Sequence, residues 1–158
     1  MWPFGNKKEE KIKDLTRKMK DKLDKLAEIG NSYFDNQEYE KALEIYQSAL
    51  DIIPPPQNVH SETAWFQAVI GDVYFYQEDF YKAKKYFDFA LKNISGFGST
   101  NPFVLLRFGQ CCLKTGDEKS ALEYLLRAYM LKGKDLFQED SPEYFDFLKA
   151  NVELDDKE

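Results

Sequence analysis

Hydrophobic residues recur along the chain at spacings of three and four, with polar and charged residues between them. This spacing places apolar side chains along one face of an α-helix. Residues 26–33 and 42–50 show the pattern clearly, and a short polar stretch at residues 36–38 separates them. The pattern predicts two amphipathic helices that pack against each other, with apolar positions at Leu26, Ile29, Tyr33, Ala42, Leu43, Tyr46, Ala49 and Leu50.

The same two-helix pattern occurs three times, over residues 26–54, 66–94 and 105–133. Equivalent residues of the first and second blocks lie 41 residues apart, and those of the second and third blocks lie 38 residues apart. A repeat of this length is typical of helical solenoids. Three sets of equivalent residues share these offsets: Gly30, Gly71 and Gly109; Ala42, Ala83 and Ala121; Ala49, Ala90 and Ala128.

With large apolar residues, glycine, tyrosine, alanines and proline in a fixed order, the blocks resemble tetratricopeptide repeats, which are helix-turn-helix units of about 34 residues. The first block is nearly complete, whereas Ser95 replaces the usual proline in the second and Cys112 the tyrosine in the third. The resemblance implies an all-α fold, an α-α superhelix, in one domain over residues 1–158. Its three repeats are expected at about residues 23–56, 64–97 and 102–135. The extra residues between repeats approximate whole helical turns, so we expect them to lengthen helices.

Two flanking segments are predicted to extend the solenoid, because its terminal repeats need covered faces. Residues 7–22 are basic and carry Ile12, Leu15 and Met19 at helical spacing. We expect them to form one helix that continues into the first repeat. Ser141 and Pro142 indicate another helix start, through a hydroxyl N-cap and a proline at the first helical position. This helix, over about residues 141–152, is expected to cap the third repeat.

The resemblance also implies a binding surface. In this family the first helix of each repeat lines a concave groove, and the corresponding positions in this chain are rich in aromatic side chains. Exposed aromatic residues on such a surface favour contact with another protein or peptide. The candidate binding residues are Asn31, Phe34, Asp35, Trp65, Asp72, Phe75, Tyr76, Phe103, Arg107 and Gln110.

The chemistry of these positions indicates what the groove would accept. Asp35 and Asp72 lie beside aromatic residues, which suits an apolar segment that carries a basic residue. We interpret both carboxylates as groups that would face such a partner.

One binding mode of the family is not expected here. Some members hold the C-terminal carboxylate of heat-shock chaperones with two lysines, two asparagines and an arginine. Asn31 and Arg107 match this set, but Ala27, Val69 and Phe103 replace the other three groups. Two matching groups of five do not neutralise a terminal carboxylate together with acidic side chains.

The supply of reactive side chains argues against catalysis. The chain has one histidine, His60, which we expect at the surface, and two adjacent cysteines, Cys111 and Cys112, at helix-packing positions. A structural zinc site needs about four such ligands. No glycine-rich phosphate loop is present, and the acids at residues 139–140 are typical of a solvated turn. We therefore expect a non-enzymatic protein without a cofactor, a metal ion or a small-molecule substrate.

Charge and hydropathy narrow the class of partner further. The net charge is −6, although residues 7–25 hold nine basic and five acidic side chains. An acidic chain is a poor match for nucleic acid. No apolar run reaches the roughly 18 residues of a membrane span, and the first residues lack the apolar stretch of a secretory signal. These patterns predict a cytoplasmic protein.

Two other functions remain open besides a groove that binds a protein segment. Residues 131–149 are similar to the tails of small bacterial tetratricopeptide repeat proteins, some of which sit beside secreted toxins. An immunity protein or chaperone of that kind would neutralise a basic toxin through its acidic surface. A membrane-surface adaptor would depend on Trp2, Phe4 and the basic first helix, but that helix has too few bulky apolar residues for strong interfacial binding.

Overall fold

The computed structural model describes residues 14–155, which fold into eight α-helices with no β-strand among them. Two short 3₁₀ turns, Gln57–Val59 and Lys134–Phe137, lie in the connections. The predicted all-α repeat fold is thus confirmed. The helices are α1 (Arg17–Asp35), α2 (Tyr39–Ile52), α3 (Ser61–Tyr76), α4 (Phe80–Lys92), α5 (Phe97–Thr100), α6 (Pro102–Lys114), α7 (Glu118–Lys132) and α8 (Pro142–Asn151).

Three helix pairs, α1–α2, α3–α4 and α6–α7, are built in the same way. In each pair a glycine of the first helix lies against a large side chain of the second. At Gly71, for example, an added Cβ would stand 3.0 Å from the Phe87 ring, tighter than an ordinary contact. The glycines therefore allow the helices to approach closely, and the equivalent contacts are Gly30 with Tyr46, Gly71 with Phe87 and Gly109 with Leu125.

The pairs stack through their alanines and aliphatic residues into a core that runs along the solenoid. α2 packs on α3, α4 packs on α6, and α7 packs on α8. Burial of this apolar surface is the main stabilising contribution. Six alanines on the second helices have no exposed surface, namely Ala42, Ala49, Ala83, Ala90, Ala121 and Ala128.

The first helix is shorter than the sequence pattern predicts. It begins at Arg17, and residues 14–16 are not helical. The Thr16 hydroxyl accepts a hydrogen bond from the backbone N–H of Met19 at 3.2 Å, which caps the helix there. Leu15 instead packs into the core. The prediction of an unbroken helix over 7–22 is therefore wrong at residues 14–16, and residues 7–13 lie outside the described part of the chain.

The residues inserted between repeats also differ from the prediction, because they do not lengthen helices. α2 ends at Ile52, and the first insertion forms a loop with the 3₁₀ turn Gln57–Val59. The second insertion contains Gly96, whose φ of 78° favours glycine, and the short helix α5. Gly98 of α5 lies against the main-chain carbonyl of Ala90, where a Cβ would clash.

The C-terminal segment packs against the third repeat. Tyr144 and Leu148 of α8 are buried, together with Phe137 of the preceding 3₁₀ turn. α8 begins with Pro142 at its first position, as its sequence suggests. However, Ser141 makes no side-chain capping bond, so the predicted hydroxyl cap is wrong.

Candidate binding groove

The first helices of the three repeats lie side by side and form one surface, which we call the groove. Lys20 of α1 reaches Glu62 at the start of α3, at 4.0 Å. Near the other ends of these two helices, the rings of Phe34 and Tyr76 meet edge to face, with centroids 5.3 Å apart. The ion pair of Asp72 with Arg107 joins α3 to α6. These contacts place α1, α3 and α6 in the order expected of a concave repeat surface.

Arg107 lies on α6 and is held by two carboxylates. Its Nε donates to Asp72 Oδ1 at 2.8 Å, and its Nη1 donates to Asp140 Oδ1 at 2.8 Å. Nη1 also donates to Gln110 Oε1 at 2.8 Å, and Gln110 Nε2 donates to Asp140 Oδ2 at 3.1 Å. We call these four residues the Arg107 network. Only 6% of Arg107 is exposed and Gln110 is fully buried, whereas the side chains of Asp72 and Asp140 keep 16% and 18% of their surface exposed.

Burial and charge act in opposite directions within this network. Burial raises the pKa of Asp72, Arg107 lowers it, and the nearby Asp140 carboxylate raises it. Burial lowers the pKa of Arg107, but the ion pairs with Asp72 and Asp140 outweigh this and raise it. The guanidinium therefore stays charged, and with both carboxylates ionised the network carries one more negative charge than positive.

Aromatic rings surround the Arg107 guanidinium. Its Cζ atom lies 4.3 Å from the ring centroid of Phe75, 5.1 Å from that of Phe103 and 5.8 Å from that of Tyr76. Phe75 is half-buried, whereas Tyr76 is 52% exposed and Phe103 is 36% exposed. Together with the half-buried Phe34, these two exposed rings form what we call the aromatic strip of the groove (Phe34, Tyr76 and Phe103).

The remaining predicted residues have different surroundings. Trp65 is half-buried, and its ring meets those of Tyr46 at 6.3 Å and Phe66 at 4.9 Å, between the first and second repeats. Asn31 is exposed, and its Oδ1 accepts a hydrogen bond from the Tyr46 hydroxyl at 2.6 Å. Asp35 is exposed on α1. Burial, and then the carboxylates of Asp35 and Asp72, raise the pKa of Tyr46 to about 12.

Sequence reasoning misplaced two carboxylates. Asp72 is predicted to face a partner, but its Oδ1 accepts a hydrogen bond from Arg107 within the chain. The acids at residues 139–140 looked like a solvated turn, yet Asp140 binds both Arg107 and Gln110. A usable signal was the position of Arg107 itself, because a cation between apolar residues of a buried helix requires a carboxylate partner.

The other candidate reactive groups are structural. His60 is only 8% exposed, contrary to the expected surface position, and its carbonyl accepts a hydrogen bond from Asn93 Nδ2 at 3.0 Å. Cys111 and Cys112 are unpaired and buried, and burial raises the pKa of both thiols, that of Cys112 to about 11. Between residues 14 and 155, no group of three His, Cys, Asp or Glu side chains is placed to hold a metal ion. No helix in this range is long and apolar enough to cross a membrane.

Comparison with known proteins identifies the repeat. A family model described as "Tetratricopeptide repeat" matches residues 26–56 and 104–135. No curated protein sequence matches the chain significantly.

Three solved structures illustrate the similarity in fold. The type III secretion chaperone SycD of Yersinia enterocolitica, in complex with a peptide of the translocator YopD, is 18% identical with a TM-score of 0.63, covering 82% of this chain and 92% of that one. The N-terminal domain of stress-induced protein-1 from C. elegans is 19% identical with a TM-score of 0.62, covering 85% and 98%. PcrH from Pseudomonas aeruginosa is 15% identical with a TM-score of 0.63, covering 87% and 95%. Identities this low establish a shared fold.

Proposed function

The chain is a tetratricopeptide repeat protein, and from that premise we propose that it is a non-enzymatic interaction module that holds a segment of a partner protein in its groove. Two of the similar structures support the proposal by analogy. SycD was solved with a peptide of YopD, and PcrH with the chaperone binding region of PopB. The free, buried thiols of Cys111 and Cys112 favour a reducing compartment such as the cytoplasm.

The observation that carries the proposal is the exposure of Tyr76 and Phe103 beside the Arg107 guanidinium. Burying a large aromatic side chain is among the strongest contributions to a protein interface. Tyr76 is also braced by Phe34 and Phe75, with ring centroids at 5.3 Å and 6.2 Å. Rings held in place before binding lose little conformational entropy when a partner covers them.

The proposal predicts that truncating the two exposed rings removes the partner. We expect the double variant Tyr76→Ala/Phe103→Ala to lose a protein that the unmodified chain captures from the lysate of its source cell. With that protein purified, we expect its Kd to rise by about tenfold or more, which is the effect of losing one or two interface hot spots. Titration calorimetry measures this change directly.

The chain offers a matched control on the second helix of the middle repeat. Tyr81 and Phe89 of α4 are 75% and 41% exposed, so Tyr81→Ala/Phe89→Ala removes the same two ring types outside the groove. This variant is expected to retain the partner. A partner that survives both double variants but is released at about 0.5 M salt would contradict the proposal and favour the acidic outer surface instead.

A further inference from the structure

The groove also carries information about which segment it accepts, and this inference rests on the proposed function. We propose that it binds an internal segment of its partner, with an apolar side chain between Tyr76 and Phe103 and a basic side chain over α1. A free C-terminal carboxylate is disfavoured at the same place. Three features of the groove lead to this assignment.

The first feature is the hydrogen-bonding capacity left on Arg107. Its Nε and Nη1 are used within the Arg107 network, whereas Nη2 donates to no residue between Asp14 and Asp155. The Arg107 side chain keeps 7% of its surface exposed. A main-chain carbonyl of a bound segment is a suitable acceptor for these N–H groups, because it is neutral.

The second feature is the charge around that donor. Asp72 and Asp140 already bind the guanidinium, and they outnumber its single positive charge. The nearby cation Lys114 is paired with Glu143 at 2.7 Å. A terminal carboxylate placed on Arg107 would therefore meet two like charges, and the charge of Lys114 is already balanced by Glu143. An internal segment avoids this repulsion.

The third feature is the acidic second half of α1. Residues 26–37 contain two charged side chains, Glu28 and Asp35, and both are exposed carboxylates. By the repeat offsets, Asp35 occupies the position of Tyr76, and Glu28 the position of Arg107. Neither forms a salt bridge with any residue that the structure describes. This wall of the groove is thus complementary to a lysine or arginine.

The spacing of the first helices determines how far apart the apolar and basic residues of the bound segment should lie. Neighbouring helices pack about 8–10 Å apart, and an extended chain advances about 3.3 Å per residue. A long basic side chain also spans part of the distance from Tyr76 and Phe103 to the carboxylates of α1. The apolar and basic residues of the partner segment are therefore expected about three to five residues apart.

A selection from random peptides tests the inference. Peptides displayed between two carrier domains, so that neither end is free, are selected on the unmodified protein. We expect the selected peptides to combine an aliphatic or aromatic residue with a lysine or arginine at the spacing given above. Synthesised with an amide end, the best peptide should bind more tightly than the same peptide cut to end in a carboxylate beside its apolar residue.

A charge reversal provides the decisive measurement. We expect Asp35→Lys to weaken the selected peptide by about fivefold, and exchange of the peptide's basic residue for glutamate to restore binding to this variant. The matched control is Asp51→Lys, an exposed carboxylate on α2 with the same change in net charge, which should leave the affinity nearly unchanged. The unmodified chain and both variants are compared at one ionic strength, because salt screens such pairs.

The outcomes separate the two proposals. Peptides that depend on Tyr76 and Phe103 but show no basic preference, ignore Asp35→Lys, or bind better through a free carboxylate would overturn this inference and leave the proposed function standing. If no selected peptide depends on Tyr76 and Phe103, both proposals fail.

Discussion

At the scale of single residues, Arg107 joins the ion pairs of the groove to its aromatic rings. It carries the one cation of the Arg107 network and touches the rings of Phe75, Tyr76 and Phe103. A buried ion pair of this kind adds little to stability compared with an apolar replacement of the whole group. Removing one partner is costly, however, because the opposite charges remain buried without compensation.

We expect Arg107→Met to raise the pKa of Asp72 further, because burial and Asp140 raise it while Arg107 lowers it. A carboxyl group whose pKa is higher in the folded state binds its proton more tightly when folded. The contribution of Asp72 to the free energy of unfolding should therefore increase as the pH falls from its raised pKa towards the ordinary value of 3.8, and more so in the variant. Near neutral pH the variant should lose about 3–5 kcal/mol of stability.

A carboxyl NMR titration of Asp72, with urea unfolding at several pH values, measures both effects. Arg127→Met is the control, since the pair of Arg127 with Glu123 is solvent-exposed at 3.7 Å and is expected to contribute less than about 1 kcal/mol. An unchanged Asp72 pKa in Arg107→Met would show that the ion pair does not govern this carboxyl.

The sequence predicted Arg107 and Gln110 at groove positions but not the network that they form. Arg107 and Gln110 were placed there by the repeat register, which depends on local spacing alone. Their partner Asp140 lies 33 residues after Arg107 and 30 after Gln110, and it belongs to no repeat. No periodic pattern specifies such a contact, because it depends on the path of the connection after α7.

At the scale of elements, each repeat makes the same turn between its two helices with a different residue. The backbone is left-handed at Gln37 and Glu78, with φ of 61° and 60°, and at Gly116, with φ of 86°. Glycine adopts this conformation without a steric penalty, whereas side chains with a Cβ do so at a cost. The first two repeats therefore contain a local strain that the third avoids.

We expect Glu78→Gly to stabilise the protein by about 0.5–1 kcal/mol, since relief of this strain exceeds the entropy that glycine adds to the unfolded chain. Glu78 is exposed, so the change removes no packing. Urea unfolding midpoints provide the measurement. Gln77→Gly is the control. Gln77 has an ordinary φ of −79°, so glycine at this position should destabilise the protein. Equal effects at both positions would contradict the explanation.

The helices and their pairing could be predicted from the repeat positions, whereas the residues at which helices begin and end could not. Gly30, Ala42 and Tyr46 specify one close helix pair through spacing and size alone. The start of α1 depends instead on one capping bond from Thr16, which overrides the helical pattern before it. Likewise, the length of an insertion does not determine its path once Gly96 permits a left-handed turn.

At the scale of the whole molecule, packing is nearly one-dimensional. Most contacts join helices that are neighbours along the solenoid, and α1 and α2 have no substantial contact with α7 or α8 within the described residues. In such an arrangement stability is close to a sum over repeats and their interfaces, so damage at one end spreads weakly to the other.

We expect Leu148→Ala to destabilise the C-terminal end selectively. Leu148 of α8 is fully buried against the third repeat, and truncation of such a leucine costs about 2–5 kcal/mol. Hydrogen exchange should lose more protection in α7 and α8 than in α1 and α2. Leu131 of α7 is 53% exposed, so Leu131→Ala should change neither the stability nor the exchange protection of this end. A uniform loss of protection would mean that the solenoid opens as one cooperative unit.

The Arg107 network also has a kinetic consequence. Asp72 of α3, Arg107 of α6 and Asp140 before α8 fix the groove floor across three parts of the chain before any partner arrives. A surface that is already formed requires little rearrangement on encounter. Association rates should then differ little among ligands, and the residence time of each ligand should account for most of the difference in affinity.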